Sequence, residues 1–210
     1  MLRDIRNNYQ KHKLEETDLP AQPFELFKRW LEEAIRSEVD EPTAMTLSTV
    51  SDGMPDSRIV LLKEVLDDRF IFFTNYSSSK SLQMKANPQV ALNFFWPELE
   101  RQVRVKGVVS KVDEALSEAY FQSRPRESQL GAWASAQSQP VNGRKELEQN
   151  FHKLETQFEG KVIPKPKHWG GFQVEALEIE FWQGRPGRLH DRIRYYNRQQ
   201  GQWEFKRLSP

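Results

Sequence analysis

At 210 residues the chain is long enough to close one hydrophobic core, and no Pro/Gly/Ser-rich stretch divides it. Its 31 lysines and arginines against 30 aspartates and glutamates leave a net charge of +1, which excludes a whole-chain pull on nucleic acid or an anionic membrane. The absence of cysteine excludes a disulfide framework and a thiolate metal site and suits a reducing compartment, so the expected location is cytoplasmic.

Residues 1–20 are polar and lack apolar periodicity, which predicts a mobile N-terminal arm ahead of a single domain over 21–210. No run approaches the ~20 apolar residues of a membrane span, and the first residues lack the apolar stretch of a signal peptide, so neither insertion nor secretion is expected. Phe24, Phe27, Leu31 and Ala34/Ile35 recur at helical spacing behind Pro23, which suits a first turn, and Asp40-Glu41-Pro42 ends the run. Short runs rich in β-branched and aromatic residues follow at Ala44 to Val50, Arg58 to Val65, Phe70 to Asn75, Val90 to Trp96 and Gln102 to Val112, separated by turns such as Ser51-Asp52-Gly53. A short helix is expected at Ser78 to Ala86. Three more are expected from Asp113 to about Ser123, after Pro125, and from Arg144 to Phe158. Strands return at Gly171 to Gln183, and Arg192 to Asn197 with Gln202 to Leu208 read as a hairpin around Gln200-Gly201. The order β, helical, β predicts a mainly β α+β fold: an antiparallel barrel with helices packed outside.

Common site motifs are missing: there is no GxGxxG after a strand, no GxxxxGK[ST], no GxSxG and no HExxH. His12, His152, His168 and His190 are not at metal-ligand spacing to one another, so no metal is expected and chemistry would come from an organic cofactor.

Four segments could carry a site. Arg58-Ile59-Val60-Leu61-Leu62-Lys63 is either a strand with snorkelling cationic ends or a backbone ledge for a flat ring with a cation at each end. The odd spacing of Arg58 and Lys63 puts them on opposite faces of a regular strand, so sharing one site needs a bulge or different ligands. Phe73-Thr74-Asn75-Tyr76-Ser77-Ser78-Ser79-Lys80 is either a phosphate cradle at a helix start or a Ser-capped helix. Tyr120 and Arg124 share a helical face, with Pro125 opening a helix whose first turn holds Ser128. Such a group suits a phosphate monoester, or it is an exposed helix junction. If the chain after Gly187 is extended, Arg188, His190 and Arg192 share one face and Leu189, Asp191 and Ile193 the other. That face wants an anionic or electron-rich ligand, unless His190 pairs with Asp191 or another carboxylate.

In order and spacing these segments, with DLP, PTAM, NPQVALNFFW, LERQVRVKG, YFQSRPRESQLGAWAS, WGGF, EFWQG, RLHDR and RLSP, resemble the pyridoxine 5'-phosphate oxidase family over nearly the whole chain. The resemblance implies an FMN-binding split β-barrel of Greek-key type and a homodimer with FMN in clefts at the subunit interface. It implies oxidation of pyridoxine or pyridoxamine 5'-phosphate, small phosphorylated pyridines, to pyridoxal 5'-phosphate with O2 as acceptor, and no nucleic-acid or membrane partner. Carried over by motif, FMN would meet Arg58, Ile59, Val60, Leu61, Leu62, Lys63, Phe73, Thr74, Ser79, Lys80, Gln102, Gln137, Ser138, Trp182 and Arg192. Substrate would meet Lys63, Tyr120, Arg124 and Ser128 through its phosphate, and Arg6, Tyr9, Arg188, Leu189 and His190 around its ring, with Arg188 and His190 as candidates for orientation and proton handling. Ser79 stands where the family often has a second basic residue, and Phe73 where tyrosine is frequent. A flavin-binding barrel without oxidase activity and a nucleic-acid-binding barrel using the basic C-terminal quarter are the alternatives.

Overall fold

The computed structural model describes residues 1–4, 7–199 and 201–210. Among them, nine strands make one antiparallel sheet that curls into a barrel, and five helices pack around it. Helix α1 (Pro23–Arg36) starts at its proline and turns Phe24, Phe27, Trp30 and Ala34 inward. Phe27 meets Phe70, Phe94 and Trp96, and Trp30 meets Phe181 edge-on, so this helix plugs the barrel interior.

Strand β1 (Ala44–Ser51) alternates burial and joins β2 (Met54–Leu61) through a tight turn with positive φ at Asp52 and Gly53. Strand β3 (Glu64–Leu66) and β4 (Arg69–Asn75) are joined in the same way by Asp67 and Asp68. The expected strand from Arg58 to Val65 is therefore two strands, the first beginning four residues earlier. At the break, Leu62 N–H still donates to the Thr43 carbonyl beside β1, whereas Lys63 N–H donates to the Ile71 carbonyl on β4, both at 2.8 Å. The chain changes neighbours there, closing the barrel, so Arg58 and Lys63 do not lie on one regular strand.

After α2 (Ser79–Ala86) come β5 (Gln89–Trp96) and β6 (Arg101–Lys111). Helices α3 (Glu114–Ser123), α4 (Arg126–Ala134) and α5 (Arg144–Gln157) follow, and cover a second apolar cluster of Phe121, Leu130, Phe158, Ile163 and Trp169. The last strands are β7 (Trp169–Gln183), β8 (Asp191–Gln199) and β9 (Gln202–Arg207). Gln200, in the expected hairpin turn, lies outside the described residues. The order across the sheet is β2-β1-β5-β6-β7-β4-β3, with β8 and β9 beyond β7. The 15 residues of β7 make it the spine: it pairs with β6, and its other edge is shared by β4 over Trp169 to Glu175 and by β8 over Glu178 to Gln183.

The residues expected to form an arm run along the body from position 7. Gln10 and Lys11 donate their N–H groups to Glu100, and Leu14 N–H donates to Asp191. No helix among the described residues is long and apolar enough to cross a membrane.

Strand β6 shifts register against β7 between Lys106 and Gly107, and here the backbones approach closely: a Cβ on Gly107 would lie 2.2 Å from the Glu175 carbonyl oxygen. Gly107→Ala must push two paired strands apart, so urea unfolding of this variant should show a loss of about 2–3 kcal/mol at unchanged slope.

Candidate active site

The corner at Leu62-Lys63, the ends of β4 and α3, the start of α2 and the start of β7 converge on a cavity of about 410 Å³. Ile59, Val60, Leu61 and Lys63 line one side; Phe73, Thr74, Lys80, Tyr120, Arg124, Ser128, Gln137 and Trp169 line the rest. Three of the four segments singled out in the sequence thus meet in space.

One wall is an aromatic stack. Phe73 lies 3.9 Å from Tyr120 and 5.6 Å from Trp169, the rings nearly parallel, and the Arg124 guanidinium sits 4.6 Å from the Trp169 centroid. Phe73 takes part in this stack through its ring alone. Arg124 Nη1 is buried and has no hydrogen-bond partner among the described residues. Burial pushes the Arg124 pKa down and that of Tyr120 up, the first offset in part by the Tyr120 phenol and the second by the Arg124 charge. Tyr120 therefore stays protonated at neutral pH and is a donor.

Lys80 is buried near the opposite wall. Its ammonium donates to Thr74 Oγ1 (3.2 Å), Ser78 Oγ (3.3 Å) and Gln137 Oε1 (3.3 Å), all neutral oxygens. Burial and then the nearby Arg58 charge lower its pKa. Ser78 does not cap α2: its hydroxyl donates to the Asn75 carbonyl at 2.7 Å. Among the described residues the start of α2 thus has no side-chain cap, which sets aside the Ser-capped alternative. Ser79 is exposed in that first turn. Arg58 points to the side, bonded to Asp56 (2.5 Å), Thr49 Oγ1 (2.7 Å), Gln83 Oε1 (3.0 Å) and the Leu47 carbonyl.

The fourth segment lies elsewhere. Tyr9, Trp182 and His190 form an aromatic group, with His190 4.7 Å from Trp182 and Tyr9 5.6 Å and 5.7 Å from the two. Beside it, Asn7, Asn8, Tyr9, Arg185, Gly187, Arg188 and His190 line a second cavity of about 490 Å³. The expected alternation fails at its start: Pro186–Arg188 is a 3-10 turn, Arg188 has φ 63°, and β8 begins only at Asp191. Arg188 and Leu189 stand exposed on that turn. His190 does not pair with Asp191, whose carboxylate is taken by Arg185, Arg207 and Leu14 N–H. Instead His190 Nδ1 accepts the Arg185 N–H at 3.1 Å, which puts the ring proton on Nε2. Burial, then the Arg188 charge, lower its pKa against the opposing pull of Asp191, so His190 is neutral at pH 7.

Gln102, Trp182 and Arg192 are direct cross-strand neighbours on β6, β7 and β8 and share one face. Arg192 is not a free cation, since Glu180 takes it at 2.9 Å together with Arg194 at 2.8 Å. Burial alone would raise the Glu180 carboxyl; the hydrogen bonds from these two arginines bring it below its ordinary value. Ser138 is exposed in the turn after α4, with φ 70°. Arg6 lies outside the described residues. Sequence reasoning missed Trp169, Glu180, and the partners Thr49, Asp56 and Gln83 that hold Arg58. Trp169 had a signal in Gly170-Gly171, where a Cβ would run into Tyr76 and Phe73.

The two groups sit at opposite ends of β7. Trp169 and Trp182 are thirteen positions apart on it, up to roughly 40 Å along the strand at about 3.3 Å per residue.

Known proteins carry the same pattern. The family described as "Pyridoxamine 5'-phosphate oxidase" matches residues 31–158, and the "Pyridoxine 5'-phosphate oxidase C-terminal dimerisation region" matches residues 169–210. A Synechocystis protein named pyridoxine/pyridoxamine 5'-phosphate oxidase is 54% identical over 210 residues, covering 100% of this chain and 98% of its own. One of that name from Leptospira interrogans is 51% identical over 99% of this chain and 97% of its own. Among solved structures, PhzG from Burkholderia lata in complex with tetrahydrophenazine-1-carboxylic acid aligns with a TM-score of 0.89 and 30% identity, over 97% of this chain and all of its own. A pyridoxamine 5'-phosphate oxidase-related, FMN-binding protein from Nostoc punctiforme shares the fold, with a TM-score of 0.71 at 17% identity over 91% of this chain and all of its own. With its barrel, its helical cover and both family regions accounted for along its length, the chain belongs to the pyridoxamine 5'-phosphate oxidase family.

Proposed function

We infer that this chain is an FMN-dependent oxidase that converts pyridoxine 5'-phosphate and pyridoxamine 5'-phosphate to pyridoxal 5'-phosphate. The observation that carries this reading is the pair of inward cations, Lys80 and Arg124, in one cavity, neither of them bonded to a carboxylate among the described residues. Such a pair suits two phosphate esters, one of the flavin and one of the substrate. The buried, partnerless Arg124 Nη1 and the uncapped start of α2 are the features of this chain that fit those groups.

In this reading Lys80, Thr74, Ser79 and Arg58 hold the FMN phosphate and the backbone of Ile59 to Leu62 supports the ring, with Phe73, Gln137 and Ser138 beside it. Lys63, Tyr120, Arg124 and Ser128 hold the substrate phosphate. Bound FMN supplies the two-electron chemistry: a hydride leaves the 4' carbon, and O2 is reduced to H2O2. For the alcohol the balance is CH2OH plus O2 to CHO plus H2O2; for the amine, water enters and NH3 leaves. The protein's contribution is positioning. Tyr120 donates its phenolic proton to a phosphate oxygen. His190, neutral with its proton on Nε2, offers a donor to the pyridine substituents, while Arg188 supplies permanent positive charge beside it. Leu189, Tyr9 and Arg6 would complete that cover.

Because the two groups lie at opposite ends of β7, the reading needs a homodimer in which Gln102, Trp182, Arg188, His190 and Arg192 of the second protomer meet the cavity of the first. The dimerisation region over 169–210 supports this. So does the apolar exposure of Ile59, Leu61 and Phe95, which lie on the same sheet face as Gln102 and Trp182. A cytoplasmic location belongs to the same reading and is supported by the cysteine-free composition.

Purified protein supplied with FMN should take up oxygen when given pyridoxine 5'-phosphate, and uptake held at background would sink the reading. Arg124→Ala should raise KM for either substrate roughly 10–100-fold, as expected for losing a charged hydrogen bond to phosphate, with flavin retained. Assayed at substrate far below the raised KM, where each variant alone turns over slowly, Arg124→Ala and Arg188→Ala proteins mixed under subunit exchange should restore about a quarter of wild-type activity, since about half of the dimers are mixed and one of the two sites in each is intact. Failure of any activity to return would place both residues in one protomer's site.

A further inference from the structure

The corner between β5 and β6 holds a buried carboxylate that the proposed reaction does not use. Glu100 follows the turn Pro97–Leu99 in the left-handed conformation (φ 54°) and is 7% exposed. One of its oxygens, Oε2, accepts two backbone N–H groups from the other end of the chain, Gln10 at 2.8 Å and Lys11 at 3.0 Å. Lys11 Nζ adds a bond to the Glu98 carbonyl at 2.6 Å.

The corner is firmly held. The Glu100 carbonyl accepts the Gly184 N–H at 2.8 Å and Gln183 Nε2 at 3.2 Å. The adjacent Arg101 is buried against the Trp30 ring and bonded to Gln183 and Glu33. The N-terminal segment is thus fastened to a corner that is itself bonded to the C-terminal end of β7. The residue just before the fastened pair is Tyr9, whose ring meets Trp182 and His190. Gly184 makes room for this: a Cβ there would lie 2.7 Å from Tyr9 Cβ and 3.0 Å from Glu100 Cβ. Elsewhere Leu14 and Glu16 are held by Asp191 and Arg207, but those contacts act five or more residues from Tyr9.

We propose that Glu100 is a positioning residue: by binding the backbone N–H groups of Gln10 and Lys11 it sets Tyr9 against Trp182 and His190. The proposal rests on the assignment of Tyr9 and His190 to the substrate side. A carboxylate suits the task because a single charged oxygen can take two N–H groups that a neutral acceptor holds more weakly. Removing it frees the backbone of residues 10 and 11 while leaving the phosphate-binding cavity, at the far end of β7, untouched.

The test compares holoenzyme carrying Glu100→Ala, Glu100→Gln or Gly184→Ala with wild type, reading tryptic cleavage after Lys11 and Lys13, flavin content, and KM and kcat for pyridoxine 5'-phosphate. Glu100→Ala should speed cleavage about tenfold or more and raise KM roughly five- to tenfold with flavin retained. Glu100→Gln, which keeps an oxygen for the same two N–H groups, should show smaller changes in both. Cleavage at the wild-type rate in Glu100→Ala overturns the proposal, as does faster cleavage with wild-type kinetics. Should Glu100→Ala not fold, Gly184→Ala decides: it crowds Tyr9 while keeping the carboxylate, so a raised KM supports the proposal and wild-type kinetics overturn it. Cleavage is read without turnover, so a failed oxidase reading shows as absent activity in wild type itself, distinct from a failed latch.

Discussion

Two inward cations without a carboxylate partner among the described residues impose the constraint around which this molecule is arranged. Taking an ammonium or guanidinium out of water costs several kcal/mol, and proteins normally offset that with a paired acid. Here Lys80 has three neutral oxygens, and Arg124 has the face of Trp169 and one buried nitrogen left unbonded. The surrounding elements keep carboxylates away: α2 has no acid in its first turn, the stack beside Arg124 is aromatic, and Arg58 spends its charge on Asp56. In the proposed function the stability forgone is returned when a phosphate ester binds, so a cation pair that costs stability would serve affinity.

The opposite end of β7 follows the contrary logic. There Glu180 neutralises Arg192 and Arg194, and Asp191 neutralises Arg185 and Arg207. A C-terminal quarter that reads as strongly basic in sequence is, in space, mostly a set of ion pairs. Among the described residues this leaves Arg188, on its exposed turn, and Lys206 on β9 as the cations from Arg185 to Arg207 without a carboxylate partner. The contrast explains why a count of charges along the chain misleads: carboxylates from β7 and from the start of β8 close over arginines up to sixteen positions away.

Much of the fold was legible because the strands alternate or run apolar between strong turn residues, and because Pro23, Pro125 and Asn87-Pro88 mark helix edges. The corner at Leu62-Lys63 was not, since nothing in an unbroken apolar run says that its two ends pair with different strands; that is decided by barrel closure. That Tyr120 with Arg124 on one helical turn, and a hydroxyl-rich strand end before Lys80, would line a cavity was legible from residue type and spacing. The face of Arg188, His190 and Arg192 was misread because alternation assumes an extended chain, and Pro186-Gly187 instead builds a tight turn that puts Arg188 at positive φ. Contacts such as Glu180 with Arg192 or Glu100 with Gln10 join positions too distant in sequence for any local pattern to reveal.

The length of β7 ties these points together. A shorter strand would pair with β6 and one other neighbour and would put every functional side chain of a protomer at one end. At 15 residues it serves β4 with one half and β8 with the other, and so carries the aromatic stack at Trp169 and the Tyr9-Trp182-His190 group on one rigid element while keeping them apart. In the proposed function two such protomers face each other through the exposed apolar residues of β2 and β5 and each end supplies what the other's cavity lacks, which would make assembly a condition for catalysis rather than an addition to it. The N-terminal segment, fastened at Glu100 beside the end of β7, is in position to cover whichever cavity that end meets.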